Sequence, residues 1–119
     1  FGTAWTVLYH DAFASELERL SEDVQDALLA TASLLVTYGP SLGRPHADTL
    51  AGSRFPNMKE LRFRAENGAW RVAYAFDPER RAIVLVAGDK TGVGQKRFYK
   101  ALIAKADNRF ADHLSPPEA

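Results

Sequence analysis

The 119-residue chain contains no cysteine. That excludes disulfides, thiolate nucleophiles and cysteine-ligated zinc, and it points to a reducing compartment, the cytoplasm. No apolar run approaches the roughly 18–20 residues needed to span a bilayer, so no membrane association is expected. The opening FGTAWTVLYH lacks both a basic start and a long apolar stretch, so no signal peptide is expected either. Histidines and carboxylates never cluster at ligand spacing, so neither a metal nor a small-molecule cofactor is expected. What remains, 46% hydrophobic and 25% charged residues, is an ordinary globular composition, and the length suits a single domain over residues 1–119.

The formal net charge is zero, but it is unevenly distributed. Residues 1–48 hold Arg19 and Arg44 against seven acids, whereas residues 49–119 hold thirteen lysines and arginines against eight acids. A basic second half suits a polyanion or another acidic partner.

Hydrophobic periodicity orders the elements as β-α-α-β-β-β-α, an α+β chain with a helical hairpin on a twisted, mainly antiparallel sheet and a C-terminal helix. WTVLY (5–9) is a first strand, and Asp11 is placed to cap a helix running to about residue 20. Ser21 caps a second helix, with Val24, Leu28, Thr31, Leu35 and Tyr38 as its apolar stripe and Gly39-Pro40 as its stop. The acids of this hairpin, Glu16, Glu18, Glu22 and Asp26, read as a solvated surface. Residues 39–56 carry three glycines and three prolines and show no period, which marks a long loop. MKELRFR, WRVAYAF and AIVLVAG then form a meander, and residues 95–114 a helix with Phe98, Leu102, Ala106 and Phe110 at spacing four. The SPPEA tail is expected to fray.

Asn67-Gly68 is a strong two-residue hairpin turn. That turn sets Arg64 opposite Arg71 and sends Leu61, Phe63, Trp70, Val72, Tyr74 and Phe76 to one face as core. The other face carries Glu60, Arg62, Arg64 and Arg71, with only Ala73 and Ala75 beside them, a shallow cationic trough. Opposed like charges are unfavourable without an anion, and guanidinium groups fork onto phosphate oxygens.

VAGDKTGVGQKRFYKALI (86–103) has the strand, glycine loop, Lys-Thr and helix of a phosphate-binding P-loop. That loop needs glycine directly before its lysine and again five residues earlier. Here Asp89 precedes Lys90, and Val84 stands five before Asp89, so it is not a nucleotide P-loop. It does place Lys90 at the end of a strand and Lys96, Tyr99 and Lys100 on one side of the helix.

With those residues in view, the run KELR…WRVAYAFD…AIVLVAGDKTG…RFY resembles the phage Gp49-like branch of the HigB toxins, within the RelE/ParE superfamily, over about residues 42–114. The resemblance implies a RelE-like fold and a toxin of a type II toxin–antitoxin system. Such a toxin cuts mRNA at the ribosome without a metal, inhibits translation, and is silenced by a helix-turn-helix antitoxin of the HigA kind. It also implies Arg71, Lys90, Tyr99 and Arg62 as catalytic residues. Arg64, Lys96 and Lys100 would hold RNA phosphates, and the loop residue His46 is a possible acid or base. Cleavage by the neighbouring 2′-OH needs a base, cations around the phosphorane and an acid for the leaving 5′-oxygen. Tyr99 could be that base only if cations lower its pKa; otherwise it stacks or orients another group. Lys90 is the acid or a further phosphate ligand. Two alternatives stay open: a non-catalytic ParE-like toxin that binds DNA gyrase, and a nucleic-acid-binding accessory protein.

Overall fold

A computed structural model of the chain describes residues 4–115. Its sheet contains β1 (Thr6–Tyr9), β2 (Ala47–Thr49), β3 (Lys59–Ala65), β4 (Gly68–Phe76) and β5 (Arg81–Asp89), in the order β1-β5-β4-β3-β2. β1 runs parallel to β5, and the other pairings are antiparallel. The helices are α1 (Asp11–Leu17), α2 (Glu22–Tyr38) and α3 (Gln95–Leu114). This is the expected α+β plan with one addition. β2 lies inside the segment expected to be a loop, and with three residues it is too short to show an alternation. Among the described residues no helix is long and apolar enough to cross a membrane. The tail beyond Ser115, expected to fray, lies outside the described residues.

His10, and not Asp11, caps α1, accepting from the Ala12 amide through Nδ1 at 3.2 Å. Ser21 caps α2 through the Val24 amide, as its position predicts. The buried stripe of α2 is Val24, Leu28, Ala32 and Leu35. Thr31 instead returns its hydroxyl to the Ala27 carbonyl of its own helix, and Tyr38 is 53% exposed. Glu16 is not simply solvated: its two carboxylate oxygens grip Arg109 of α3 at 2.6 and 2.8 Å.

The helical hairpin and α3 cover opposite faces of the sheet. Phe13, Leu28 and Leu35 pack on Leu61, Val72, Tyr74 and Val84 from one side. Phe98, Leu102, Ala106 and Phe110 pack on Ala73, Ala75, Ile83 and Leu85 from the other. The expectation of an open trough at Ala73 and Ala75 is therefore corrected: both are fully buried beneath α3. Small side chains let the helix lie close to the sheet there. Gly88 serves the same end, since a Cβ on it would come within 3.0 Å of the Phe98 ring.

The hairpin turn also differs from expectation. Its two corner residues are Glu66 and Asn67, both left-handed with φ of 51° and 62°, and Ala65 pairs with Gly68. Gly68 is needed inside the strand, because a Cβ there would meet the Asp89 carboxylate at 2.6 Å. The turn moves one residue back and every partner moves by two. A two-residue step preserves the faces, so the cationic face survives with Arg62, not Arg64, opposite Arg71.

Candidate nucleic-acid cleft

On the α3 side of the sheet, the area left uncovered by that helix is a cleft of about 770 Å³ between β3, the end of β5 and the first turns of α3. Arg62 enters from β3, Lys90 follows β5, and Lys96 and Lys100 come from α3, so four cations face a single acid, Glu60. The first turn of α3 holds no acid, and Gly94 caps it without a side chain. Lysine and arginine at the positive end of a helix oppose the macrodipole. Such a local conflict is typical of a binding site, where an anion resolves it.

Glu60 is the organising group. It is only 6% exposed, and its Oε1 accepts from the Tyr99 hydroxyl at 2.9 Å. Arg71, diagonal to it on β4, places Nε 3.8 Å from the same oxygen, an ion pair too long to be a hydrogen bond. Arg71 is itself 8% exposed, and its Nη1 donates to the Trp70 carbonyl. Its Nε is buried with no hydrogen-bond partner, a fixed donor left unused. Glu60 thus sets a negative charge beside Arg71, one member of the opposed Arg62–Arg71 pair.

Tyr99 is not prepared to be a base. Burial, then the hydrogen bond to Glu60 and the negative charge of Glu60, push its hydroxyl above the ordinary value, against the opposing influence of Arg71. The condition for Tyr99 as a base was a lowered pKa, and the structure gives the opposite direction. Its hydroxyl orients Glu60.

The remaining residues divide. Arg64 borders a shallow depression of about 240 Å³ with Pro45, Phe63 and Arg71. Arg62 lines both this depression and the main cleft, so the cationic surface is continuous. His46 is not brought in; it lines a separate depression with Leu34, Tyr38 and Arg44. The Asp89 carboxylate is structural. Partial burial would raise its pKa, but hydrogen bonds from Thr91 and the Ala69 amide outweigh that and hold it low. With Thr91 Oγ1 accepting from the same Ala69 amide, the loop is pinned to the hairpin and Lys90 is fixed at the cleft. Among the described residues no three histidine or carboxylate side chains are placed to share a metal ion.

The role of Glu60 was missed by sequence reasoning. Its alternation with Arg62 and Arg64 placed it on the right face, but the contacts that single it out come from β4 and from Tyr99, 39 residues away.

These features fall in a known class. The chain belongs to the family described as phage derived protein Gp49-like (DUF891), whose pattern matches residues 15–111. Two Mycobacterium tuberculosis proteins are similar to it. The toxin candidate HigB2 is 41% identical over 100 residues, covering 83% of this chain and 49% of that protein. The toxin candidate HigB3 is 42% identical over 96 residues, covering 81% of this chain and 82% of that protein. The chain thus spans about half the length of HigB2. The fold is that of the E. coli toxin RelE, solved as an arginine-to-alanine double mutant in the free state. The two superpose with a TM-score of 0.58 at 16% identity, covering 86% of this chain and 96% of that one.

Proposed function

We propose that the protein is the toxin of a type II toxin–antitoxin pair and that it cleaves mRNA at the ribosome, without a metal ion. The observation that carries this reading is Glu60, held between Tyr99 and Arg71 at the head of a cleft whose other charged residues are all cations. Similarity to toxin candidates supports the biological role, and the cleft supports the chemistry.

In this reading Glu60 takes the proton from a ribose 2′-OH, with its carboxylate aimed by the Tyr99 hydroxyl. The 2′-oxygen forms a bond to phosphorus as the bond from phosphorus to the 5′-oxygen breaks. Arg62 holds the non-bridging oxygens from within the cleft, and Arg71, buried behind Glu60 and outside the cleft lining, adds its positive charge at longer range. Lys90 delivers a proton to the departing 5′-oxygen. The products are a 2′,3′-cyclic phosphate and a 5′-hydroxyl. Arg64, Lys96 and Lys100 carry flanking phosphates. The cationic surface is also what a partner antitoxin of the helix-turn-helix kind would neutralise, by covering it with acidic side chains.

Primer extension on mRNA from a translating extract tests the proposal. Cuts that require ribosomes, survive EDTA and disappear in Arg62→Ala are expected. Growth arrest with intact mRNA would assign the protein to the gyrase-binding kind of toxin instead.

A further inference from the structure

The cleft is larger than its cations require. A phosphodiester among Arg62, Lys90 and Lys100 fills only part of about 770 Å³, and the wall on the far side is apolar: Leu50, Ala51 and Ile103. Ala51 is exposed and Ile103 half-buried, so the wall is open to a ligand and is not simply the edge of the core. A phosphate gains nothing from such a surface. A flat heteroaromatic ring gains from burying its face there.

The wall is also fastened. Residues 50–55 are strapped along one stripe of α3, at Ile103, Asp107 and Phe110. Gly52 turns past Ile103 with φ of 98°, where a Cβ would lie 3.4 Å from Cδ1. The Asp107 carboxylate accepts from the Ser53 hydroxyl through one oxygen and from the Arg54 amide, at 3.1 Å, through the other. Phe55 meets Phe110 edge-on at 5.0 Å between centroids. Asp107 does not itself line the cleft, and its two hydrogen bonds go to the loop. A surface loop held at three successive points on a helix is a preformed wall.

We infer that the Ala51–Ile103 wall seats one nucleobase of the RNA strand whose phosphate lies among the cleft cations, and that Asp107 is a positioning residue that holds this wall in place. The inference rests on the reading of the cleft as an RNA site. Ala51 and Ile103 offer no hydrogen bond to a base, and Thr49 and Gln95, which also line the cleft, can each donate or accept, so the seat accepts purines and pyrimidines and favours purines by contact area.

The test is an NMR titration with 2′-O-methyl tetranucleotides, which cannot be cleaved by the 2′-hydroxyl route, carrying an abasic sugar at each position in turn. In the unaltered protein one abasic position should weaken binding by about 5- to 150-fold, the range expected for losing one stacked base. A purine there should bind tighter than a pyrimidine. Ala51→Asp, a change at an exposed loop position, should abolish the difference between natural and abasic ligands. Asp107→Ala should also abolish it, and Asp107→Asn, which keeps one acceptor oxygen, should restore part of it. Equal binding of natural and abasic ligands at every position, with Arg62→Ala weakening both, would overturn the base seat while leaving the phosphate site intact. No binding of any tetranucleotide would overturn the seat, and the RNA reading is then decided separately by the primer-extension assay on ribosome-bound mRNA.

Discussion

Tyr99 on α3 donates its hydroxyl to Glu60 on β3 at 2.9 Å, joining the C-terminal helix to the cationic face of the sheet. In the proposed reaction this bond sets the division of labour in the cleft: the carboxylate accepts the proton, and the phenol holds it in place.

Tyr99→Phe keeps the ring and its edge-on contact with Phe98 but removes that donor. Cleavage should fall by about 10-fold, the scale of one lost orienting hydrogen bond, and not be abolished. Because the Tyr99 pKa is raised, its ionisation falls on the far alkaline side. The alkaline limb of the rate–pH profile should therefore be the same in Tyr99→Phe as in the unaltered protein. A limb below pH 10 that vanishes in the variant would make Tyr99 the base after all.

Tyr74 lies fully buried under the helical hairpin, and its hydroxyl has no hydrogen-bond partner. A buried unsatisfied donor costs about 1–3 kcal/mol. Tyr74→Phe should thus leave stability unchanged or raise it by ~1 kcal/mol in thermal unfolding, with cleavage unaffected. A loss of more than ~1 kcal/mol would mean that the hydroxyl has a partner after all, such as a buried water.

Asp77, 6% exposed, closes the β4–β5 turn. One oxygen accepts from the Glu79 and Arg81 amides, and the other from the Arg81 guanidinium and from His113 of α3. Burial pulls its pKa up, but these bonds outweigh it and hold the carboxyl at about 2, below the ordinary 3.8. A depressed pKa stabilises the fold above the unfolded value and is lost as pH falls through the folded one. The window is therefore roughly pH 4 down to 2, with ~2 kcal/mol at stake. Asp77→Asn should lower stability at neutral pH and flatten its loss across that window in acid unfolding. Parallel curves for the two proteins would contradict the assignment.

Much of this arrangement was legible in the sequence. The spacing of Phe98, Leu102, Ala106 and Phe110 defines both the span and the buried stripe of α3. Strict alternation in β3 and β4 sorts core from cationic face, and it survives a wrong turn because the error was two residues, an even step. What escaped was long-range. Asn-Gly is the strongest local turn signal, but the place of Gly68 is decided by Asp89, 21 residues on. Ala73 and Ala75 look like the floor of a trough until α3 lies over them. The cations and Tyr99 announced themselves by type and position, whereas the role of Glu60 depends on partners from two other elements.

Whether Glu60 is the proton acceptor is read most directly from the single-turnover cleavage rate of ribosome-bound mRNA by Glu60→Gln. Glutamine keeps the size of the side chain and an acceptor oxygen for Tyr99, so circular dichroism and the melting temperature report whether the fold is retained. The expected rate is lower by about 10²–10⁴-fold, the usual contribution of a general base, with the fold retained. A folded Glu60→Gln protein that cleaves within a few-fold of the unaltered rate would contradict it.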